Sequence, residues 1–313
     1  MLKSEGRLQY LVIKTFIHIL ALVPRKQMDR IAVPLGSLLY RLDKHHRTIA
    51  LDNISKAYRN EVPPSDIPKM VKASFIQLVT VALEIPSLLK LSKDNLDSYV
   101  CFSGSHHLET ALSKGKGVLF LTAHLGNWEL MALAASLKYD VSCNLLVRPL
   151  DFSPIDRVLT EIRCRTGNTV LDKIRSARMI RNMLSENQLL AVLLDQNASW
   201  YDGVYVPFFG RTACTNKGFG LFALRYNPTV LPIFNIRQAD GRYHIMFDAP
   251  VTLKRTGNIQ RDLVENTALF NRVIEKHIRM APDNWLWVHR RWRLKEIPER
   301  VKQKMARVPL TGL

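Results

Sequence analysis

The sequence predicts an α/β fold, with a mixed and largely parallel central sheet flanked by helices. From Tyr99 onward, short apolar runs alternate with helical patterns, which is typical of a parallel sheet with crossover helices. The clearest run, Val118–Leu121, is continuously apolar, as expected for a strand buried on both faces. Polar side chains follow three such runs, at His124, Arg148 and Asp195. Open α/β sheets bind ligands at the carboxyl ends of their strands, so we expect these residues to gather at one edge of the sheet.

The N-terminus is predicted to be a helical membrane-anchoring region. The segment Leu8–Pro24 is strongly apolar, although it is a little shorter than the roughly 20 residues of a spanning helix and Lys14 interrupts it. It lacks the small-residue cleavage site of a removed signal peptide. We expect a retained anchor that enters or crosses the bilayer, with Arg25, Lys26 and Arg30 on the cytoplasmic side. The alternative interpretation is a helix of the protein core.

Changes in pattern divide the chain into three regions. Residues 1–40 form the anchoring segment, residues 41–98 a helical support region, and residues 99–313 the α/β core with a basic C-terminal tail. In the support region, Ile67–Leu91 has the apolar spacing of a long helix, which Pro86 ends or kinks.

The core elements are predicted from the period of the apolar residues and from the turn residues between them. In chain order they are strand Val118–Leu121, a helix from Leu130, strand Val141–Val147, helix Ile155–Arg165, strand Thr169–Leu171, helix Ile174–Leu184, strand Leu189–Leu194, a long polar and aromatic loop Asn197–Asn216, helix Thr215–Arg225, the paired strands Val230–Arg237 and Tyr243–Phe247, and an amphipathic helix Ile259–Ile278.

Composition narrows the class of protein and of partner. The 313-residue chain is 47% apolar, which argues against disorder and against a polytopic membrane protein. Its formal net charge of +18 predicts a polyanionic partner. An anionic membrane leaflet, a phosphorylated substrate, an acidic carrier protein and nucleic acid all fit this charge. The four cysteines have no metal-ligand spacing, and free thiols favour a reducing compartment.

A histidine and a glutamate stand at the predicted crossing from strand to helix. Residues five apart on a regular helix point away from each other, so His124 and Glu129 meet only if His124 precedes the first helical turn. A carboxylate on the imidazole would then fix its tautomer and stabilise the imidazolium. Gly126 permits close backbone approach and Asn127 can cap the helix. The alternative is a polar strand end beside a solvated helix charge.

The block Lys116–Leu130, KGVLFLTAHLGNWEL, resembles the first motif of the bacterial late acyltransferases of lipid A biosynthesis, in their His-x4-Asp/Glu form. The resemblance continues in the expected order and covers most of the chain. It includes Arg148-Pro-Leu150, Leu194-Asp-Gln196, Gly203–Gly210, Leu231-Pro-Ile233 and Trp285–Trp292.

This resemblance implies a glycerolipid acyltransferase-like fold and O-acyl transfer from an acyl carrier protein thioester to a hydroxyl of a lipid A precursor, similar to Kdo-lipid IVA. His124 is then the general base and Glu129 its orienting carboxylate. A thioester already carries a good leaving group, so we expect direct transfer with no cofactor and no metal. The implied location is the inner membrane of a Gram-negative bacterium, with the core on the cytoplasmic face. The implied partners are acyl carrier protein, anionic lipid and a phosphorylated glycolipid acceptor, and no nucleic acid.

Several further side chains are candidates for substrate binding. Asp195 is a second carboxylate near His124, a residue that positions the acceptor, or a cap of its own turn. Arg148 and Arg163 suit phosphate or an oxyanion, with surface charge as the alternative. The aromatic residues line an acyl groove, sit at the membrane interface or pack in the core; we favour packing for Trp285, Trp287 and Trp292. The complete predicted set is Asn127, Arg148, Arg163 and Asp195, with Phe208 and Phe209 in an acyl groove and Arg211 and Lys217 on sugar phosphates.

Two other functions fit parts of the sequence. An acyltransferase with the same first motif could act on glycerol phosphate, a lysophospholipid or another glycolipid. Such enzymes usually carry a Gly-Thr-Arg type third block, whereas this chain has Asp195-Gln-Asn-Ala198, which favours the lipid A branch. The non-enzyme alternative is a basic, membrane-tethered protein that binds a polyanion such as nucleic acid, but no recognition module supports it.

Overall fold

The computed structural model describes residues 4–172 and 177–293. The basic tail beyond Arg293 and the first part of the predicted helix Ile174–Leu184 lie outside the described residues.

The predicted α/β fold is confirmed by a seven-stranded sheet with helices packed against it. Its strands are β1 (Val100–Ser103), β2 (Val118–Thr122), β3 (Cys143–Val147), β4 (Thr169–Asp172), β5 (Leu189–Leu193), β8 (Thr229–Arg237) and β9 (Tyr243–Phe247), whereas β6 (Gly203–Phe208) and β7 (Arg211–Asn216) form a separate ribbon. The strands of the large sheet follow the order β1-β9-β8-β2-β5-β3-β4, and every neighbouring pair is parallel except β8 with β9.

Ten α-helices lie within the described residues. They are α1 (Ser4–Leu20), α2 (Arg25–Leu42), α3 (Lys44–Ala57), α4 (Ile67–Glu84), α5 (Ser105–Ser113), α6 (Trp128–Tyr139), α7 (Ser153–Cys164), α8 (Ala177–Ser185), α9 (Lys217–Tyr226) and α10 (Ile259–Met280). Buried apolar side chains form one cluster on each face of the sheet, because alternate residues of the central strands point to opposite sides. All five residues of β2 are buried, as the continuous apolar run predicts.

The predicted loop Asn197–Asn216 is wrong, because most of it is the antiparallel hairpin of β6 and β7. The register runs from Gly203 opposite Asn216 to Phe208 opposite Arg211. Phe209 and Gly210 form the two-residue turn, with φ of 50° and 66°. Two positive φ angles suit the twist of a hairpin, but a phenylalanine is an uncommon residue there. The sequence therefore lacked the usual turn signal.

The first two helices pack against the core on one side and expose apolar residues on the other. The Tyr10 hydroxyl donates to Glu161 Oε1 at 2.6 Å, and Lys14 Nζ donates to Glu161 Oε2 at 2.8 Å, so α1 is held on α7. Large exposed apolar patches mark contact with a partner or a membrane. We call this patch the N-terminal apolar surface; it consists of Leu8, Leu11, Val12, Phe16, Ile19, Ile31, Leu35, Leu38 and Leu42.

By length and composition alone, one helix of the described chain could cross a membrane, and a second stretch qualifies only if its two bent helices count as one span. Ile67–Lys90 is the first, and 61% of its most apolar window is buried inside the protein, as in a core helix. The second is the pair Gly6–Leu20 and Arg25–Leu42, which bends by 112° between its two helices. The bend directs α2 along the body of the protein, where it packs against α4.

A buried carboxylate joins the N-terminal helices to the sheet. Glu84, at the end of α4, is 1% exposed and accepts hydrogen bonds from Arg25 Nη2 at 3.0 Å and Tyr243 Oη at 2.8 Å. It also accepts from Asn127 Nδ2 at 2.9 Å, in the turn between β2 and α6. One side chain thus ties α2, β9 and this turn together.

We expect Glu84→Gln to lower the free energy of unfolding by about 3 kcal/mol, because the Arg25 guanidinium then loses its buried counter-charge. Denaturant unfolding in detergent micelles measures this. Glu109→Gln, an exposed glutamate on α5, is the matched control. Equal effects of the two substitutions would show that the buried network does not stabilise the fold.

Candidate active site

His124 lies in the tight turn that joins β2 to α6, at the carboxyl end of the central strand. Gly126 has φ of 62°, and a Cβ atom there would stand 2.0 Å from Asn235 Oδ1, so the position requires glycine. The Asn127 N–H donates to the same Asn235 oxygen at 2.7 Å. The His124 carbonyl accepts from the Leu286 N–H at 3.1 Å. The backbone that carries the imidazole is therefore held from both sides.

Asp195 is the carboxylate that contacts the imidazole. It follows β5, which lies directly beside β2, so the ends of two adjacent parallel strands bring Asp195 and His124 together. Asp195 Oδ1 lies 2.9 Å from His124 Nδ1. Asp195 Oδ2 accepts from the His124 backbone N–H at 3.1 Å and from the Trp285 indole N–H at 2.7 Å. The predicted gathering of strand-end residues is thus confirmed for this pair.

The charge of Asp195 decides the tautomer of His124. Burial alone raises the pKa of Asp195, but the neighbouring His124 and the hydrogen bonds outweigh it and lower the pKa to about 2. An ionised carboxylate only accepts hydrogen bonds, so His124 Nδ1 carries the proton. The lone pair of the neutral ring is then on Nε2, which lies 3.5 Å from Gln196 Nε2. The ring is not sealed inside the protein, since 18% of the His124 side chain is exposed.

The predicted contact between Glu129 and His124 is corrected, because Glu129 binds Arg163 instead. Glu129 Oε2 accepts from Arg163 Nε at 2.8 Å, and Oε1 accepts from Arg163 Nη2 at 2.6 Å. Glu129 stands in the first turn of α6, which directs its side chain to α7 rather than back to the ring. The Trp128 indole N–H also donates to Glu129 Oε1, at 3.2 Å. Trp128 in turn packs edge-on against the His124 ring, with 4.9 Å between centroids.

Neither arginine predicted to bind phosphate contacts His124 or Asp195 within the described residues. Arg163 has 13% of its side chain exposed and uses two of its nitrogens on Glu129. Burial lowers the pKa of Arg163, but the hydrogen bonds and charge of Glu129 outweigh this and raise it. Arg148 follows β3, is largely exposed, and donates to Asp151 Oδ1 at 3.0 Å. Because β5 separates β3 from β2, Arg148 is one strand further from the imidazole.

Asn127 has a structural role in this fold, and its predicted contact with substrate stays a prediction. Its side chain is fully buried, and its Oδ1 accepts from the Leu130 N–H at 3.0 Å, so the predicted helix cap is confirmed. Its Nδ2 donates to Glu84. No part of the Asn127 amide is therefore exposed to solvent.

The aromatic residues of the hairpin pack in the core. Phe208 is fully buried, with its ring centroid 5.6 Å from those of Trp285 and Trp292, and its place in an acyl groove stays a prediction. Phe209 is 5% exposed, and its centroid lies 6.1 Å from that of Trp287. The preference for packing is confirmed for the buried Trp285 and Trp287, although Trp285 also binds Asp195.

The two cations predicted on sugar phosphates lie by the hairpin. Lys217 Nζ donates to the Tyr201 carbonyl at 2.5 Å. The Arg211 guanidinium lies 5.2 Å from the centroid of the Trp292 ring. In the part of the chain that the structure describes, neither has a polar contact with His124 or Asp195, and no cluster of His, Cys, Asp or Glu is arranged to hold a metal ion.

Three residues around Asp195 were given no chemical role from the sequence. Trp285 supplies an indole hydrogen bond, and His289 is half-buried, and loss of solvent contact lowers its pKa to about 4 and keeps it neutral. Arg291 is fully buried and donates to the Cys214 carbonyl and to Thr215 Oγ1. Burial lowers the pKa of Arg291 to about 10, although nearby Asp195 opposes this shift. The only sequence signal for these residues was the block Trp285–Trp292.

The low pKa of Asp195 links folding to pH. A carboxyl whose pKa falls from 3.8 to about 2 on folding stabilises the protein above about pH 4, and this stabilisation is lost as the pH falls toward 2. We expect Asp195→Asn to lower the free energy of unfolding by roughly 2 kcal/mol at neutral pH, and by less at pH 3. Urea unfolding at the two pH values measures the change. Asp140→Asn, at an exposed ion pair, is the control, and a deficit that does not change with pH would contradict the assigned pKa.

Comparison with known proteins assigns the chain to a family. Residues 3–294 match the family model described as bacterial lipid A biosynthesis acyltransferase. The chain is 24% identical over 284 residues to a lipid A biosynthesis lauroyltransferase of Escherichia coli, covering 90% of each chain. It is 22% identical to a lipid A biosynthesis acyltransferase of Haemophilus influenzae, over 87% of this chain and 84% of the relative. A more distant match, 23% identical over 57% of this chain and 60% of the relative, is a phosphatidylinositol mannoside acyltransferase of Mycolicibacterium smegmatis.

Proposed function

The chain belongs to the bacterial lipid A biosynthesis acyltransferase family and is an acyltransferase, and we propose that it transfers a fatty acyl chain from an acyl carrier protein thioester to a hydroxyl group of a lipid A precursor. The acceptor is a phosphorylated glycolipid similar to Kdo-lipid IVA. The observation that carries this proposal is the pair of His124 and Asp195, with 18% of the His124 side chain exposed.

His124 acts as the general base. A neutral alcohol is a poor nucleophile, so its proton must leave while the oxygen attacks. With Nδ1–H held by the Asp195 carboxylate, Nε2 is the atom that receives this proton, and the negative charge of Asp195 stabilises the imidazolium that results. A positioned base of this kind contributes about 10²–10⁴-fold to the rate.

The transfer proceeds without an acyl-enzyme. The acceptor oxygen forms a bond to the thioester carbonyl carbon as its proton moves to His124 Nε2. The tetrahedral intermediate then collapses, the carbon–sulfur bond breaks, and the departing thiolate takes the proton from the imidazolium. The products are an O-acylated lipid and the free thiol of the carrier, and the imidazole returns to its starting state. No side-chain nucleophile and no cofactor take part.

Glu129 acts on the imidazole through Trp128. The Glu129 carboxylate, clamped by Arg163, accepts the Trp128 indole hydrogen bond, and the Trp128 ring packs edge-on against His124. Glu129 is therefore a positioning residue in this mechanism, whereas Asp195 is bonded to the ring itself.

A lipid acceptor requires access to a membrane. The N-terminal apolar surface supports docking to a bilayer, and the net charge of +18 supports attraction to anionic lipid, which is worth about 1 kcal/mol per cation near the surface. We place the protein on the cytoplasmic face of the inner membrane of a Gram-negative bacterium. The same positive charge favours encounter with an acidic acyl carrier protein.

A different glycolipid acceptor is the second candidate. One relative, which this chain matches over 57% of its length, is named a phosphatidylinositol mannoside acyltransferase. The catalytic chemistry would be the same, and only the acceptor hydroxyl would differ. Parallel assays with the lipid A precursor and with a mannosylated phosphatidylinositol separate the two candidates.

We expect His124→Ala to lower acyl transfer about 10²–10⁴-fold, because the acceptor proton loses its base. The assay follows a labelled acyl group from acyl carrier protein to the lipid A precursor in membranes or micelles. His106→Ala, an exposed histidine on α5, is the control. Unchanged transfer in His124→Ala would remove the proposed base.

We expect Asp195→Asn to lower kcat on the order of 10³-fold with little change in the acceptor KM, because an amide no longer fixes the tautomer of His124. Glu129→Gln should lower kcat much less, since its effect passes through Trp128. Steady-state kinetics of both variants against acceptor concentration decides the order. A larger loss of kcat in Glu129→Gln would reverse the two assigned roles.

A further inference from the structure

A second concave site lies near the β6–β7 turn and is not used in the proposed mechanism. It is a cavity of about 580 Å³ between the end of α3, the hairpin turn and the end of α10. Concave sites of this size commonly hold small molecules or headgroups. Its lining residues are Lys56, Ala57, Arg59, Glu61, Phe209, Gly210, Arg211 and Arg279.

The cavity carries an excess of positive charge. Four of its lining residues are cations and one is a carboxylate, Glu61, which pairs with Arg279. Lys56 pairs with Asp52, one turn back on α3. Within the described residues, Arg59 and Arg211 have no carboxylate partner.

Arg211 lines the cavity and has hydrogen-bonding capacity that the described residues do not use. Its Nη1 atom is buried and has no hydrogen-bond acceptor among the described residues. A buried donor without a partner is costly, and a guanidinium presents its donors in a planar fork. The Trp292 ring, 5.2 Å from the guanidinium carbon, limits its freedom to turn away. The fork is therefore held beside the cavity with part of its hydrogen bonding unused.

An aromatic layer separates this cavity from the candidate active site. Phe209 lines the cavity, and its ring centroid lies 5.1 Å from that of Phe208. Phe208 packs on Trp285, whose indole binds Asp195. The cavity is thus a distinct site from the His124 pair, but it stands on the other side of a layer that is only a few side chains thick.

We infer that this cavity binds a phosphoryl group, presented by the headgroup of a phosphorylated lipid. Phosphate matches the bidentate geometry of arginine and accepts several charge-assisted hydrogen bonds at once, as the unpaired Arg59 and Arg211 require. The concave shape suits a headgroup better than the flatter surface of a protein partner. The choice of a lipid over free phosphate rests on the proposed function, in which the acceptor is a phosphorylated glycolipid.

Binding of a phosphorylated glycolipid to the full chain in micelles, without acyl donor, tests this inference directly. We expect Arg59→Ala and Arg211→Ala each to weaken binding about tenfold, because each removes a charge-assisted contact. The same glycolipid after phosphatase treatment should bind wild type and both variants alike. Arg261→Ala, an exposed arginine on the same helix as Arg279, is the matched control and should leave binding unchanged.

Glu61→Gln gives a change of opposite sign. It removes the only carboxylate among the described residues that line the cavity and frees Arg279, so it should tighten binding of the phosphorylated lipid. A variant that is merely misfolded would not bind more tightly. Arg59→Lys keeps the charge but loses the fork, and should recover only part of the affinity that Arg59→Ala loses.

Three outcomes would overturn the inference. The first is equal weakening of both lipids by the arginine variants, which would show a general loss of structure. The second is unchanged binding of the phosphorylated lipid in both variants. The third is binding of inorganic pyrophosphate that Arg59→Ala and Arg211→Ala weaken, together with equal binding of the treated and untreated lipid by the wild type, which would assign the cavity to free phosphate. The proposed function is tested by acyl transfer in a separate assay with acyl donor, so the two proposals can fail independently.

Discussion

The organising interaction of this protein is the buried carboxylate of Asp195, which accepts hydrogen bonds from the ring and the backbone of His124 and from the Trp285 indole. These three hydrogen bonds and the charge of His124 keep the carboxylate ionised in a place where burial alone would favour the neutral acid. Arg291, buried nearby, adds a fixed positive charge that acts in the same direction. An ionised acceptor in a fixed position is what directs the proton of the imidazole to one nitrogen and the lone pair to the other.

The turn that carries the imidazole depends on a second buried network. Gly126 allows the backbone to approach Asn235, and Asn127 is shared between the start of α6 and Glu84. Glu84 also binds Arg25, at the start of the helix whose outer face belongs to the N-terminal apolar surface. Glu84 therefore links the helix with exposed apolar residues to the turn that carries His124. In such a network, a buried polar group that loses its hydrogen-bond partner destabilises the fold, so the geometry of the whole network is specific.

The arginines of the chain differ in whether neighbouring groups balance their positive charge. Arg163 is neutralised by Glu129, and Arg291 is enclosed by carbonyl and hydroxyl oxygens, so both are parts of the scaffold. Around the cavity by the hairpin, by contrast, Arg59 and Arg211 lack carboxylate partners within the described residues. The aromatic layer of Phe208, Phe209 and Trp285 keeps these charges away from Asp195 while leaving the two sites close. Net charge alone could indicate a polyanionic partner, but not where such a partner binds.

The sequence by itself determined the fold class, the strand that precedes His124, the helix cap at Asn127 and the resemblance to the family, because these depend on local apolar period, turn residues and ordered motifs. It did not determine which carboxylate meets the imidazole. Spacing along the chain made Glu129 the obvious partner, whereas Asp195 is 71 residues away and reaches the ring only because β5 pairs with β2. The hairpin β6–β7 was missed for a related reason, since Phe209 takes the turn position before Gly210, where Asn or Asp is usual, and packs on Tyr58 and Trp287. Local sequence pattern specifies helices and strands, but strand order and long-range packing decide which side chains come into contact. The proposed chemistry of this protein depends on one such contact, between His124 and Asp195.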